Sequence, residues 1–251
     1  MLRLTALAVV ALAGTTITFT QPTSIEVEPN GKLLVVENNP GRILRVDPAN
    51  GRITVLARSL ARPYAIVRAP SGAVFVSVGR TIRRLGGGVV ARSAADIGPL
   101  AVGRDSRLYY ATGTGVFWVG HGRIGSRERI RSPHGLAVTR DGTVLVSDTE
   151  GNRIVRIARD GTTSTFAVVI SPRGIDVATN GTVYVVDSVA RRIAHLAADG
   201  RSLGYRGPAL PGDPYDVQVA PNGSLLVLEA GQVGDVQVIN ARGRVSALRR
   251  H

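Results

Sequence analysis

The residues best suited to chemistry in this chain lie one or two places after a proline that recurs along it. Tyr64 follows Pro63, His134 follows Pro133, Arg173 follows Pro172, Tyr215 and Asp216 follow Pro214, and Thr23 and Ser24 follow Pro22. Phenol, imidazole, guanidinium and carboxylate groups gathered at one place offer donors and acceptors to a small ligand, and arginine matches carboxylate or phosphate geometry. No Ser-His-Asp arrangement can be argued from the sequence, since a triad is recognised by geometry and not by sequence distance. The chain has no cysteine, which excludes disulfides, thiolate nucleophiles, cysteine metal sites and a lipoprotein anchor. Gly86-Gly87-Gly88 reads as a hairpin tip, since no helical pattern follows it. Asn180-Gly181-Thr182 and Asn222-Gly223-Ser224 match the glycosylation sequon, but tight turns demand Asn-Gly there anyway.

A second acidic series, Glu37, Asp148, Asp187 and Glu229, closes a run of apolar residues in four places. Arginines follow the first three at Arg42, Arg153 and Arg191-Arg192. A recurring step from acid to arginine across a loop reads as a structural pin within each repeat.

The elements that must position these side chains are short and alternating. From Ser132 to Thr163 the chain runs through Leu136-Ala137-Val138, Asp141-Gly142, Val144-Leu145-Val146, a loop through Gly151-Asn152, Ile154-Val155-Arg156-Ile157, and Asp160-Gly161. Alternating runs joined by Asp-Gly predict hairpins. The opening prolines Pro22, Pro63, Pro99, Pro133, Pro172 and Pro214 recur every 34 to 42 residues, a period typical of propellers and solenoids. Each repeat has a turn at the same step: Asn30-Gly31, Ser71-Gly72, Asp105-Ser106, Asp141-Gly142, Asn180-Gly181 and Asn222-Gly223. Glycine in five of the six suggests a two-residue primed turn. No segment carries a sustained 3.6-residue apolar period, so no helix is expected. The fold predicted is all-β, a six-bladed β-propeller of four-stranded antiparallel blades, preferred over a β-sandwich because of the repeat length.

The stretch Gly135 to Ile157, GLAVTRDGTVLVSDTEGNRIVRI, resembles the NHL-repeat family, and looser copies of it cover nearly the whole chain. That resemblance implies the propeller fold. It leaves function open, because such domains serve enzymes, sensors and protein- or RNA-binding modules alike. His134 falls on the step where the related peptidyl-amidating lyase domains place zinc-binding histidines, but the equivalent steps here hold Thr23, Tyr64, Arg173 and Tyr215. His121, His195 and His251 lie elsewhere in the repeat. Gluconolactonase-like propellers, a more distant relative, hold a divalent cation with a glutamate, asparagines and an aspartate on their inner strands. Asp216 matches the aspartate, Glu26 is displaced within its strand, and His134 stands where an asparagine is wanted. The chain is also similar to the extracytoplasmic sensor part of some bacterial serine/threonine kinases, without any kinase motif.

Residues 1–13 read as a signal peptide, with Arg3, an apolar run from Leu4 to Ala13 and a small-x-small site at Ala11-Leu12-Ala13. The run is too short to span a bilayer as a helix. Export places the protein outside the cytoplasm; if the segment is instead another strand or the remnant of a longer parent, the protein is cytoplasmic. Residues 14–251 then form one propeller. Thr15 to Phe19 and Arg244 to Leu248 both resemble outer strands, so two segments compete to close the ring. The net charge of +13 comes almost wholly from arginine, Lys32 being the only lysine. Small clusters occur at Arg83-Arg84, Arg123 to Arg131, Arg191-Arg192 and Arg249-Arg250, without the aromatic interleaving of a single-strand binding surface.

The reading is an exported, non-catalytic binding or sensing module. It engages a protein, a peptide or an anionic ligand at a channel mouth made by Tyr64, His134, Arg173, Tyr215 and Asp216, with no cofactor and no stable membrane span. The alternative is a metal-dependent lactonase or esterase using a divalent cation. An RNA-binding propeller comes third.

Overall fold

The computed structural model describes residues 16–125 and 130–249. The signal peptide read from residues 1–13 lies outside the described residues, as do Arg127, Arg129 and Arg250 of the arginine clusters. The described chain is a six-bladed β-propeller without helices. Blade 1 comprises Pro22–Val27, Leu33–Glu37, Arg42–Asp47 and Arg52–Ala57. Blade 2 comprises Pro63–Arg68, Val74–Val78, Thr81–Arg84 and Val89–Arg92. Blade 3 comprises Leu100–Val102, Leu108–Thr112, Gly115–Trp118 and Gly122–Ile124. Blade 4 comprises Pro133–Val138, Val144–Asp148, Arg153–Ile157 and Thr163–Val168. Blade 5 comprises Pro172–Val177, Val183–Asp187, Arg192–Leu196 and Ser202–Arg206. Blade 6 has Asp213–Val219, Leu225–Ala230 and Val233–Ile239 from the inside outward. Within each blade every strand pairs antiparallel with its neighbour.

The second strands are continuous apolar runs because both their faces are buried. Leu33 and Val35 pack into the seam with blade 6, while Leu34 and Val36 pack into the seam with blade 2. The period-2 alternation of a strand thus divides one run between two neighbours. A separate apolar cluster fills each of the six seams. Burying one such side chain contributes about 1.5–3 kcal/mol.

The hairpins differ from the primed turns expected of Asn-Gly. In each, the amide of the fourth turn residue donates to the carbonyl of the first, as from Gly31 to Glu28 and from Gly142 to Thr139, both 2.8–3.0 Å. Only that fourth residue has positive φ (Gly31 81°, Gly142 86°). This is a type I turn followed by a glycine bulge, a three-residue solution that needs one left-handed residue where a type I′ turn needs two. Blade 3 shows the geometric demand most plainly, since Ser106 takes φ 62° where the others use glycine. The side chain before the glycine accepts the amide just ahead of the next strand, as Asn30 does from Lys32 (3.0 Å) and Asn222 from Ser224 (3.0 Å).

Both ends of the chain close the ring, sharing one strand. Thr18–Thr20 pairs with the start of Val233–Ile239, Thr18 opposite Asp235, and Val245–Ala247 pairs with its end, Val245 opposite Ile239. The two terminal segments meet where the Ile17 amide donates to the Leu248 carbonyl at 2.9 Å. Phe19 and Ile17 enter the cluster between blades 6 and 1 at 2% and 1% exposure. Phe19→Ala is expected to lower unfolding free energy by about 3–5 kcal/mol in chemical denaturation. A change below about 1 kcal/mol would show that the N-terminal strand does not bear on closure.

Candidate functional site

The mouth residues owe their position to an irregularity that recurs at the opening proline. Strand pairing skips between Pro22 and Ser24, Pro133 and Gly135, and Pro214 and Asp216, and between Pro63 and Ile66 and Pro172 and Ile175. The residue after each proline is squeezed out of the ladder, and bulges of this kind re-aim a side chain. Thr23, Tyr64, His134, Arg173 and Tyr215 are therefore turned to one end of the channel. Blade 3 is offset by two residues: Val102 pairs with Leu108 as Val138 does with Val144. Pro99 thus takes the place of Gly135, and Gly98 is that blade's rim residue. Aligning on Pro99 hides this.

Tyr64 and Tyr215 meet across the mouth with their hydroxyl oxygens 2.9 Å apart. Their ring centroids are 6.4 Å apart in an edge-on arrangement, and His134 approaches Tyr215 edge-on at 6.2 Å. The Arg173 guanidinium lies 5.2 Å from the Tyr215 ring centroid and donates to Asp213 at 2.8 Å. Beneath them the channel encloses a cavity of about 200 Å3. Burial raises the phenol pKa of both tyrosines, keeping them neutral donors.

His134 has a fixed tautomer. Its Nδ1 lies 3.0 Å from the Ser132 carbonyl oxygen, which only accepts, so Nδ1 carries the proton. Nδ1 also lies 2.9 Å from Thr149 Oγ1, whose own proton is committed to the Pro172 carbonyl at 2.6 Å. Nε2 is left with its lone pair and no protein partner among the described residues. Burial lowers the imidazole pKa; Arg173 adds to that, and the Ser132 carbonyl opposes it. At neutral pH the ring is therefore a neutral acceptor held at the mouth.

Asp216 sits below that ring and serves a different purpose from the other four. Its carboxylate accepts from Ser24 Oγ (3.1 Å), the Ile25 amide (3.0 Å) and the Val217 amide (2.9 Å), pinning blade 6 to blade 1. Asp176, which the sequence reading passed over, does the same between blades 5 and 6, accepting from Val219 (2.8 Å) and Val177 (2.7 Å). The signal available was an acid on an inner strand where blades 3 and 4 carry Ala101 and Ala137. Glu26 faces the same channel. Burial raises its pKa most, with Asp176 and then Asp216 adding to the effect. Among the described residues no three His, Asp or Glu side chains converge as a metal site. The oxygens of Asp176 and Asp216 are engaged by backbone amides of their own and the neighbouring blade.

The model for the NHL repeat matches residues 131–157. That match falls on blade 4. The matched segment includes His134, the mouth bulge and the Asp148–Arg153 pair. No curated protein matches the sequence. Among solved structures, the chain is similar to virginiamycin B lyase from Staphylococcus aureus, at 14% identity and TM-score 0.71 over 93% of this chain and 87% of the other. It is similar to a putative gluconolactonase at 17% identity and TM-score 0.73 over 95% of both chains. A gluconolactonase from Xanthomonas campestris aligns at 19% identity and TM-score 0.72 over 88% and 85%. At these identities the likeness is one of fold.

In blade 4, Asp148 holds Arg153 at 3.0 Å and accepts the Arg131 amide at 2.6 Å. Blade 1 repeats this with Glu37, Arg42 (2.7 Å) and the Thr20 amide (2.7 Å). Blade 5 substitutes a tyrosine, Tyr205 donating to Asp187 at 2.9 Å, and in blade 6 Glu229 accepts the Gly212 amide at 2.7 Å. This acidic series ties each second strand to the loops around it.

Burial raises Asp176 and Asp216 to about 6, with backbone amides opposing it in both. By surface area both are only partly buried, because they face the channel cavity. The channel walls around that cavity are protein, which removes much of the bulk water that would otherwise solvate the two carboxylates. An acid whose folded pKa exceeds its unfolded value binds more protons when folded, so its contribution to stability is greatest below about pH 4 and is lost as pH rises through about 6. Melting curves across this window should show wild type losing ground to an Asp176→Asn, Asp216→Asn double variant as pH rises. The loss should be on the order of 1–2 kcal/mol once screening is allowed for. A difference that is flat with pH would contradict these shifts.

Proposed function

We propose that this propeller is a binding or sensing module whose mouth takes a small polar ligand, or the end of a peptide, carrying both a hydrogen-bond donor and an anionic group. His134 Nε2 accepts from the donor, the Tyr64–Tyr215 pair supplies a hydroxyl, and Arg173 exchanges its half-exposed partner Asp213 for the anion. The observation that carries this reading is the fixed, neutral His134 set edge-on to Tyr215 above a cavity of about 200 Å3. That volume suits a metabolite-sized group better than a drug-sized one. The export that residues 1–13 imply belongs to the same proposal and would place the ligand outside the cytoplasm.

A second reading, hydrolysis of a lactone or ester, is favoured by one feature of His134. An imidazole held by Nδ1–H and free at Nε2 is arranged as a general base. Water would lose a proton to Nε2 as it adds to the carbonyl carbon, a tyrosine hydroxyl would stabilise the oxyanion, and the proton would pass to the departing alkoxide. The gluconolactonase names of two structural neighbours lend this reading support as analogy.

A thermal-shift panel of hydroxy acids, amino acids, short peptides and simple lactones separates the readings. Binding predicts that at least one compound raises the melting temperature, and that His134→Ala and Arg173→Ala each weaken it about tenfold or more by calorimetry. Hydrolysis predicts turnover of a lactone or nitrophenyl ester that persists in chelator and falls as His134 protonates. No stabilising compound and no turnover would overturn both.

A further inference from the structure

A second cavity, of about 320 Å3, lies between blades 3 and 4, beside the hairpins on the face away from the mouth. We infer that it is a binding site for a planar ring bearing a phosphate, such as a nucleoside monophosphate. Three guanidiniums line it: Arg107, Arg123 and Arg159. Arg107 and Arg159 share one carboxylate, Asp105, at 3.3 and 3.2 Å. Asp160, also on the rim, is engaged by the Thr162 amide at 2.8 Å. Arg123 donates to the Thr114 carbonyl and pairs with no carboxylate among the described residues. Positive charge is therefore left over inside the cavity, in the fork geometry that suits phosphate oxygens.

Glycines hold two of these arginines in place. A side chain on Gly142 (φ 86°) would collide with the Arg159 guanidinium. A Cβ on Gly115 would stand 2.6 Å from the nearest guanidinium nitrogen of Arg123. Both guanidiniums thus lie against bare backbone, which limits their freedom before any ligand arrives.

The ring would be received by Trp118. Arg107 covers one side of the indole, 4.2 Å from its centroid, and His121 stacks 3.6 Å from it with planes 19° apart. His121 is exposed and stands on a hairpin tip between Gly120 (φ 85°) and Gly122 (φ 84°). An imidazole stacked on an indole occupies the place a ligand ring would take, and glycine on either side lets the tip yield. Stacking on an aromatic that an arginine also contacts is a sequence-tolerant way to hold a base. The cavity volume is at the lower end of the range for small-ligand sites.

Trp118 is the only tryptophan in the chain, so its fluorescence reports this site directly. The full chain would be titrated with adenosine monophosphate, with adenosine, and with inorganic phosphate, exciting at the red edge of the indole band. The monophosphate should quench saturably, with adenosine and phosphate each weaker by about tenfold or more. Arg123→Gln and Arg159→Gln should each weaken the monophosphate about tenfold while leaving the melting temperature in place. The proposal fails if no saturable quenching appears at millimolar ligand, if phosphate alone matches the monophosphate, or if both arginine variants bind as wild type does.

Discussion

Asp216 pins the joint at which the ring closes, between the inner strands of blades 6 and 1. Those two strands lie far apart in the chain, so residues near 25 must meet residues near 216. A buried amide without an acceptor costs about 1–3 kcal/mol, and Ile25 finds its acceptor in the Asp216 carboxylate. Other joints carry polar pins of their own. Ser24 Oγ accepts from Ile66 at 3.3 Å, and Ser77 Oγ, on a second strand, accepts from Ala65 of its own blade (2.9 Å) and donates to Gly98 of the next (2.9 Å). Carboxylates serve at 5–6 and 6–1, from different steps of the inner strand, where their lost hydration is offset by two or three donors. The apolar seams supply most of the cohesion, and these polar pins set the register between blades.

The mouth follows from that register. Where an inner strand is pinned just below its opening proline, as Ser24 and Ile25 are by Asp216, the bulged residue above is turned toward the channel mouth. Three consequences converge on His134: the bulge aims it, the Ser132 carbonyl fixes its tautomer, and burial keeps it neutral. The same joints draw Tyr64 of blade 2 and Tyr215 of blade 6 together across the channel. The binding reading thus rests on backbone geometry first and on side-chain chemistry second.

Much of this was legible in the residues, for physical reasons that can be named. The repeated turns and doubly buried second strands impose a period on the sequence, and Leu33 to Val36 carries it openly. The step from Glu37 to Arg42 and from Asp148 to Arg153 was readable because strand pairing places those residues opposite one another. Asn-Gly misled about the turn, since glycine at the bulge and glycine in a primed turn leave the same mark in sequence. Asp176 was overlooked because a buried acid with backbone donors looks, in sequence, like any polar residue on a strand. Closure was undecidable from two similar terminal segments, and the structure accommodates both on Val233–Ile239. In blade 3 the proline that marks every other repeat sits two residues late, which no local pattern discloses.

The central claim is that channel carboxylates, above all Asp216, set the joints on which the mouth is built. Amide hydrogen exchange at Ile25 tests it most directly. The account predicts that Ile25 exchanges among the slowest amides in wild type. In Asp216→Asn it should exchange faster, while the amides of Val144–Asp148 in blade 4 keep their protection. An Ile25 amide that exchanges like a loop residue in wild type, or one indifferent to the substitution, would contradict it.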